Sequence, residues 1–315
     1  MKSLQRGTRQ QSMSDISGKT VSLVLGSGGA RGLAHVGIIR YLEEQDCDIR
    51  SIAGCSIGAV IGGIYAAGKL DEYEQWATAI DRFDIVSLMD FTWDGPGLMK
   101  GEKIIETLRG LVGDVNFEDL PIRLTVTAAD IISGREVWIQ SGNVFDGIRA
   151  SMSLPLILTP VPYNDGLLID GGVLNPVPIA PTFSDTTDLT IAVDLSGKSR
   201  RQAAPKRNVP VPAADDSEPE FHERIRAFID KIQGGKKPSR KMNTDWSSYD
   251  IAYQAFDAMQ GAIARQKLAA YPPDKTITIP RDACRTMEFD RAQEMIDLGY
   301  QSAVEQLAAS DSGED

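Results

Sequence analysis

The chain has 315 residues, 42% of them hydrophobic, enough for one large or two small domains around a sizeable core. Its formal net charge is -11, with 44 acidic against 33 basic residues, which excludes a general nucleic-acid binder carrying a basic stripe. Membrane contact stays open, because a local patch acts where the average does not.

Strand and helix patterns alternate from residue 20 onward. Thr20–Leu25 (TVSLVL) is a short apolar, β-branched run followed at once by glycines, and it reads as a buried strand. Arg31–Glu44 repeats apolar residues at helical spacing. Ile49–Ala53 is a second strand and Ile57–Ala67 a second helix. Further strands are predicted at Ile122–Ala129, Glu136–Ile139, Leu167–Ile169, Leu189–Asp194 and Thr276–Ile279. Further helices are predicted near Glu102–Leu111, Val144–Ala150, Trp246–Leu268 and Arg291–Ala308. This alternation implies an α/β fold with a mostly parallel sheet covered on both faces.

The expected organisation is a disordered tail (1–18), a catalytic core (19–196), an insertion or mobile lid (197–245), completing helices and a strand (246–309), and a second tail (310–315). The 197–245 segment is rich in Pro, Ala and charge, with a short helix expected at Phe221–Ile232. Its basic clusters, Lys198–Arg207 and Lys231–Lys241, suit anionic headgroups or a plain solvated linker. The first 18 residues are polar and lack the apolar stretch of a secretory signal. No run reaches the roughly 18 apolar residues of a spanning helix. The three cysteines, Cys47, Cys55 and Cys284, show no disulfide or zinc spacing. A reduced, cytoplasmic setting is expected, with any membrane met peripherally.

Gly54-Cys55-Ser56-Ile57-Gly58 is a G-x-S-x-G pattern between a predicted strand and a predicted helix. Such a turn lifts the serine Oγ above the sheet, and Gly54 and Gly58 permit close backbone approach. The positive end of the following helix faces charge that develops there. Cys55 lies one residue off the apex and is expected to pack away from the site.

Gly26-Ser27-Gly28-Gly29-Ala30-Arg31-Gly32 follows the first strand. Arg31 breaks the G-x-G-x-x-G dinucleotide pattern, and Arg31-Gly32-Leu33 replaces the Gly-Lys-Ser/Thr ending of a Walker loop. An oxyanion hole fits better, since free backbone N–H groups stabilise a tetrahedral intermediate by about 3 kcal/mol each. Gly28 and Gly29 are the expected donors. Arg31 either steadies the loop or meets a lipid phosphate.

A serine nucleophile needs a base. The chain has two histidines, His35 and His222. His35 falls among apolar residues of the first helix, as a packed histidine does. His222 completes the Ser–Asp–His order of α/β-hydrolases but sits in a charged stretch after the Pro-rich segment. Asp170 ends a buried strand and precedes two glycines, where parallel sheets bind ligands. An Asx-turn aspartate before glycine is equally consistent with the pattern.

Together GSGGARG, GCSIG and DGG, in this order, closely resemble the patatin-like phospholipase family, over about Val21 to Leu195. ASMSLPLILTPV (150–161) is also similar to the family's pattern. The resemblance implies a three-layer α/β/α fold and a Ser–Asp dyad that maps onto Ser56 and Asp170. It implies an oxyanion hole from Gly28, Gly29 and the Ala30 and Arg31 amides, and neither metal nor cofactor. It implies phospholipid, lysophospholipid or related lipid esters as substrates. Two alternatives stand beside it: a catalytically silent lipid-binding module on this fold, and an α/β-hydrolase using His222. Oligomeric state is not legible.

Overall fold

β1 (Thr20–Leu25) lies inside one mixed sheet in the computed structural model of the chain, which describes residues 16–92, 97–199 and 248–308. Successive side chains of a strand face opposite ways. Leu23 and Leu25 accordingly enter one apolar cluster and Val24 another. Burial on both faces explains why the run is apolar throughout instead of alternating.

The sheet order is β10 (Lys275–Pro280), β9 (Leu189–Gly197), β1, β2 (Asp48–Cys55), β4 (Arg123–Asp130), β8 (Gly166–Asp170) and β7 (Val161–Tyr163). The first five strands are parallel, and β8 and β7 turn antiparallel. β5 (Arg135–Ile139) pairs antiparallel with β4. β3 (Gly97–Met99) and β6 (Leu156–Leu158) form a separate two-stranded ladder.

One face of the sheet is covered by α1 (Ala34–Glu44), α2 (Ile57–Ala66), α6 (Val144–Ser151) and α8 (Ala292–Ala308). α1 and α8 meet at backbone distance. A Cβ on Gly37 would lie 1.9 Å from the Ile296 carbonyl oxygen, and one on Gly299 2.0 Å from that of Ala34. On the opposite face, Ala264 and Leu268 of α7 (Ser248–Ala270) join Val177 and Ile179 over Val24, Ala53 and Ala192. Three layers therefore form, and among the described residues the second helical layer rests chiefly on α7. α3 (Leu70–Ala79) packs outside α2, followed by α4 (Arg82–Ser87), and α5 (Glu102–Val112) packs against α3 and α6.

All seven predicted strands are present. Unpredicted are β3, β6 and β7, each three residues long, and the short polar helices α3 and α4. The predicted first helix begins as a 3-10 turn, Gly29–Leu33, before α1. The predicted helix at Phe221–Ile232 and both basic clusters apart from Lys198 and Ser199 lie outside the described residues. No helix among the described residues is long and apolar enough to cross a membrane.

Candidate active site

Ser56 sits between the end of β2 and the start of α2 with φ 56° and ψ -122°. A non-glycine residue at positive φ costs about 1–3 kcal/mol and needs surroundings that hold it there. Its N–H donates to Ser151 Oγ at 2.8 Å, and the Ser151 hydroxyl donates to the Thr127 carbonyl at 2.7 Å. The flanking glycines let three backbones converge. A Cβ on Gly54 would stand 2.5 Å from the Gly58 carbonyl oxygen, and one on Gly58 2.1 Å from that of Leu25.

Asp170 reaches Ser56 through strand register. Cys55 of β2 pairs with Thr127, and Asp170 of β8 pairs with the next residue, Ala128. β5 pairs with those same β4 residues, Thr127 with Trp138 and Ala128 with Val137, so it takes the other edge. β2 and β8 thus share one edge of β4 and approach it from opposite ends. Their C-terminal residues meet head to head, with Ser56 one residue beyond.

The Asp170 carboxyl is 1% exposed. Burial pushes it up from 3.8 to about 6, while the nearby Ser56 side chain and the hydrogen bond from the Gly172 amide pull the other way. The Gly172 N–H lies 2.7 Å from Asp170 Oδ1. The Asp170 N–H donates to the Ser153 carbonyl at 2.9 Å. Cys55 does not pack away from this site: its thiol faces Asp170 Oδ1 at 4.0 Å. The head-to-head entry of β8 is what puts the carboxyl beside the last residue of β2.

The glycine loop borders both. A Cβ on Gly32 would meet the Ile57 side chain at 2.2 Å, and one on Gly172 would meet Ser27 Oγ at 2.9 Å. Gly29 has φ 58° and leaves no room for a side chain, since a Cβ would lie 2.1 Å from Thr286 Cγ2. The amides of Gly28 and Gly29 meet no acceptor among the described residues. The expected Ala30 donor is otherwise engaged: its N–H donates to the Thr286 carbonyl at 2.8 Å. The Arg31 amide falls within the 3-10 turn. Its guanidinium is buried and donates to the carbonyls of Gly28 (3.1 Å) and Arg281 (2.9 Å) and to Asp257 (2.5 Å). It holds the loop and is not displayed to a phosphate.

His35 is fully buried, with Nε2 2.9 Å from the Gly26 carbonyl oxygen. Burial lowers its pKa to about 4, so it stays neutral and braces the loop from behind. His222 lies outside the described residues. Sequence reading did not single out Ser151, Ser153, Asp257, Gln260 or Thr286. The first two fall in the quoted ASMSLPLILTPV stretch, whereas nothing local marks the last three. Gln260 Nε2 donates to Ser27 Oγ at 3.3 Å.

Residues 23–183, just over half of the chain, match the sequence model of the family described as patatin-like phospholipase. The chain belongs to the patatin-like phospholipase family. The matched span holds the glycine loop, Ser56 and Asp170, and α7 lies outside it. An NTE family protein of Mycobacterium tuberculosis is 36% identical over 94% of this patatin-like chain and 93% of its own length. Lysophospholipase NTE1 of Candida glabrata is 31% identical, over 59% of this chain and 11% of that much longer protein. Among solved structures, VipD from Legionella pneumophila aligns with TM-score 0.42 at 13% identity, covering 92% of this chain and 67% of VipD.

Proposed function

We propose that this patatin-like protein is a serine acyl-ester hydrolase acting on phospholipid, lysophospholipid or related lipid esters through Ser56 and Asp170. One observation carries the reading. β2 and β8 converge head to head on the same edge of β4, which sets Ser56 beside a buried carboxyl whose pKa is raised to about 6.

The chemistry follows from that contact. Asp170 takes the Ser56 proton as Oγ attacks the ester carbonyl carbon. The developing oxyanion is stabilised by the uncommitted Gly28 and Gly29 amides. The intermediate collapses, the alcohol C–O bond breaks, and Asp170 returns the proton to the leaving alcohol. Water then attacks the acyl-serine by the same proton path in reverse. A free aspartate is a poor base at neutral pH, and burial brings its basicity closer to the working range.

An alkyl fluorophosphonate probe tests the nucleophile. Labelling is expected on wild type at Ser56 and absent from Ser56→Ala, with hydrolysis of a nitrophenyl ester lost in parallel. Undiminished labelling of Ser56→Ala removes Ser56 from the mechanism.

The pH profile tests the base. The ionised carboxylate is the active form, so kcat/KM is expected to rise with pH, with its midpoint near 6, and then level off. A midpoint near 4, ordinary for a solvated aspartate, removes the burial argument.

A further inference from the structure

α7 lies beyond the span that matches the family, yet it is hydrogen-bonded to the site at two places. Asp257 holds Arg31, which in turn holds the Gly28 carbonyl. Gln260 donates to Ser27, beside Gly172. Tyr253 lies half-buried near Thr286, whose carbonyl takes the Ala30 amide. On the turn between these anchors and the chain after α6, a cavity of about 150 Å³ opens.

Its lining is almost wholly apolar: Leu154, Leu156, Ala252, Tyr253, Phe256 and Met259. Leu154 follows Ser153, the residue whose carbonyl accepts the Asp170 N–H. One short segment therefore runs from beneath Ser56, at Ser151, past Asp170 to the cavity wall. Leu156 is 57% exposed and Met259 56% exposed at the rim. Leu156 is held at φ 71°, a conformation that a branched residue seldom adopts.

We propose that this cavity is the acyl-chain subsite, with α7 as one wall, and that it seats the first carbons of the acyl group of an ester. The inference rests on the Ser56–Asp170 reading above. Size sets the capacity, since an apolar cavity of about 150 Å³ takes a group the size of benzene, about six carbons. A longer chain leaves over the exposed Leu156 and Met259, where each added methylene gains little.

The experiment measures kcat/KM for nitrophenyl esters from acetyl to dodecanoyl on the full chain, with fluorophosphonate labelling run in parallel. In wild type the hexanoyl-to-acetyl ratio is expected to exceed about tenfold, with little gain beyond hexanoyl. Ala252→Trp fills the cavity from α7 and is expected to cut that ratio about tenfold. Phe256→Ala widens it and is expected to move the plateau to longer chains. General damage to the fold lowers all esters together and leaves the ratio alone, so opposite shifts in the two variants identify the subsite. An unchanged ratio in both variants, each still hydrolysing the acetyl ester at the wild-type rate, overturns the subsite, while labelling of Ser56 still upholds the dyad. Absence of both labelling and acetyl hydrolysis in wild type overturns the catalytic reading and the subsite with it.

Discussion

Asp170→Asn is expected to lower kcat/KM by about 100- to 10,000-fold while making the protein more stable at neutral pH. The loss of activity follows from chemistry: an amide cannot take the Ser56 proton. The gain in stability follows from burial. The folded protein holds a proton on Asp170 with a pKa of about 6, against 3.8 for a solvated aspartate. A carboxyl with a raised folded pKa favours folding fully only below its unfolded pKa, and the contribution is lost as pH rises through the folded value. At pH 7 the buried charge therefore costs about 3 kcal/mol. Asn carries no charge, so that cost disappears, and its oxygen still accepts from the Gly172 amide. Thermal melts should place the variant above wild type near pH 7.5, with the gap closing toward pH 4. A variant that melts below wild type by the same margin at both pH values would refute the account.

Which parts of the protein are legible in the sequence depends on whether the physics that shapes them is local. β1, the G-x-S-x-G turn and the Asp-Gly-Gly turn are local patterns, and each was readable because its physics is local: burial on two faces, close backbone approach, an acid at a strand end. What joins them is not local. Ser56 and Asp170 meet because β2 and β8 share one edge of β4, and no spacing along the chain encodes that pairing. The same head-on entry moved Cys55 from its expected place to a position facing the carboxyl. The Ala30 amide, an expected oxyanion donor, is taken up by the carbonyl of Thr286, from the loop after β10. Asp257 lies 226 positions from Arg31, and Gln260 lies 233 from Ser27. Only the folded chain brings such partners together. Arg31 shows the limit from the other side. Its place in the glycine loop was plain, but whether it faced solvent or the interior depended on a carboxylate from α7.

Gly58→Ala is expected to damage both fold and activity, whereas Gly110→Ala should improve the fold slightly. Both glycines are helical, so intrinsic propensity favours alanine at each by about 1 kcal/mol. Their surroundings differ. A Cβ at Gly110 would meet nothing within 4 Å, so the propensity gain stands alone. A Cβ at Gly58 would lie 2.1 Å from the Leu25 carbonyl oxygen, 2.6 Å from its carbon and 2.9 Å from the Gly26 carbonyl oxygen. These are backbone atoms of β1 and the first residue of the glycine loop, and no rotamer change moves them. Either α2 lifts away from the sheet or the loop shifts. Overpacking of this kind costs about 1–3 kcal/mol or more, outweighing the propensity gain. Both displacements also separate Ser56, at the start of α2, from the Gly28 and Gly29 amides. A misplacement of about 1 Å between reacting groups costs about 100-fold in rate. Melting curves and nitrophenyl ester hydrolysis on the two alanine variants give the comparison. A Gly58→Ala protein with wild-type melting temperature and rate would show that the elbow does not need its close approach to β1.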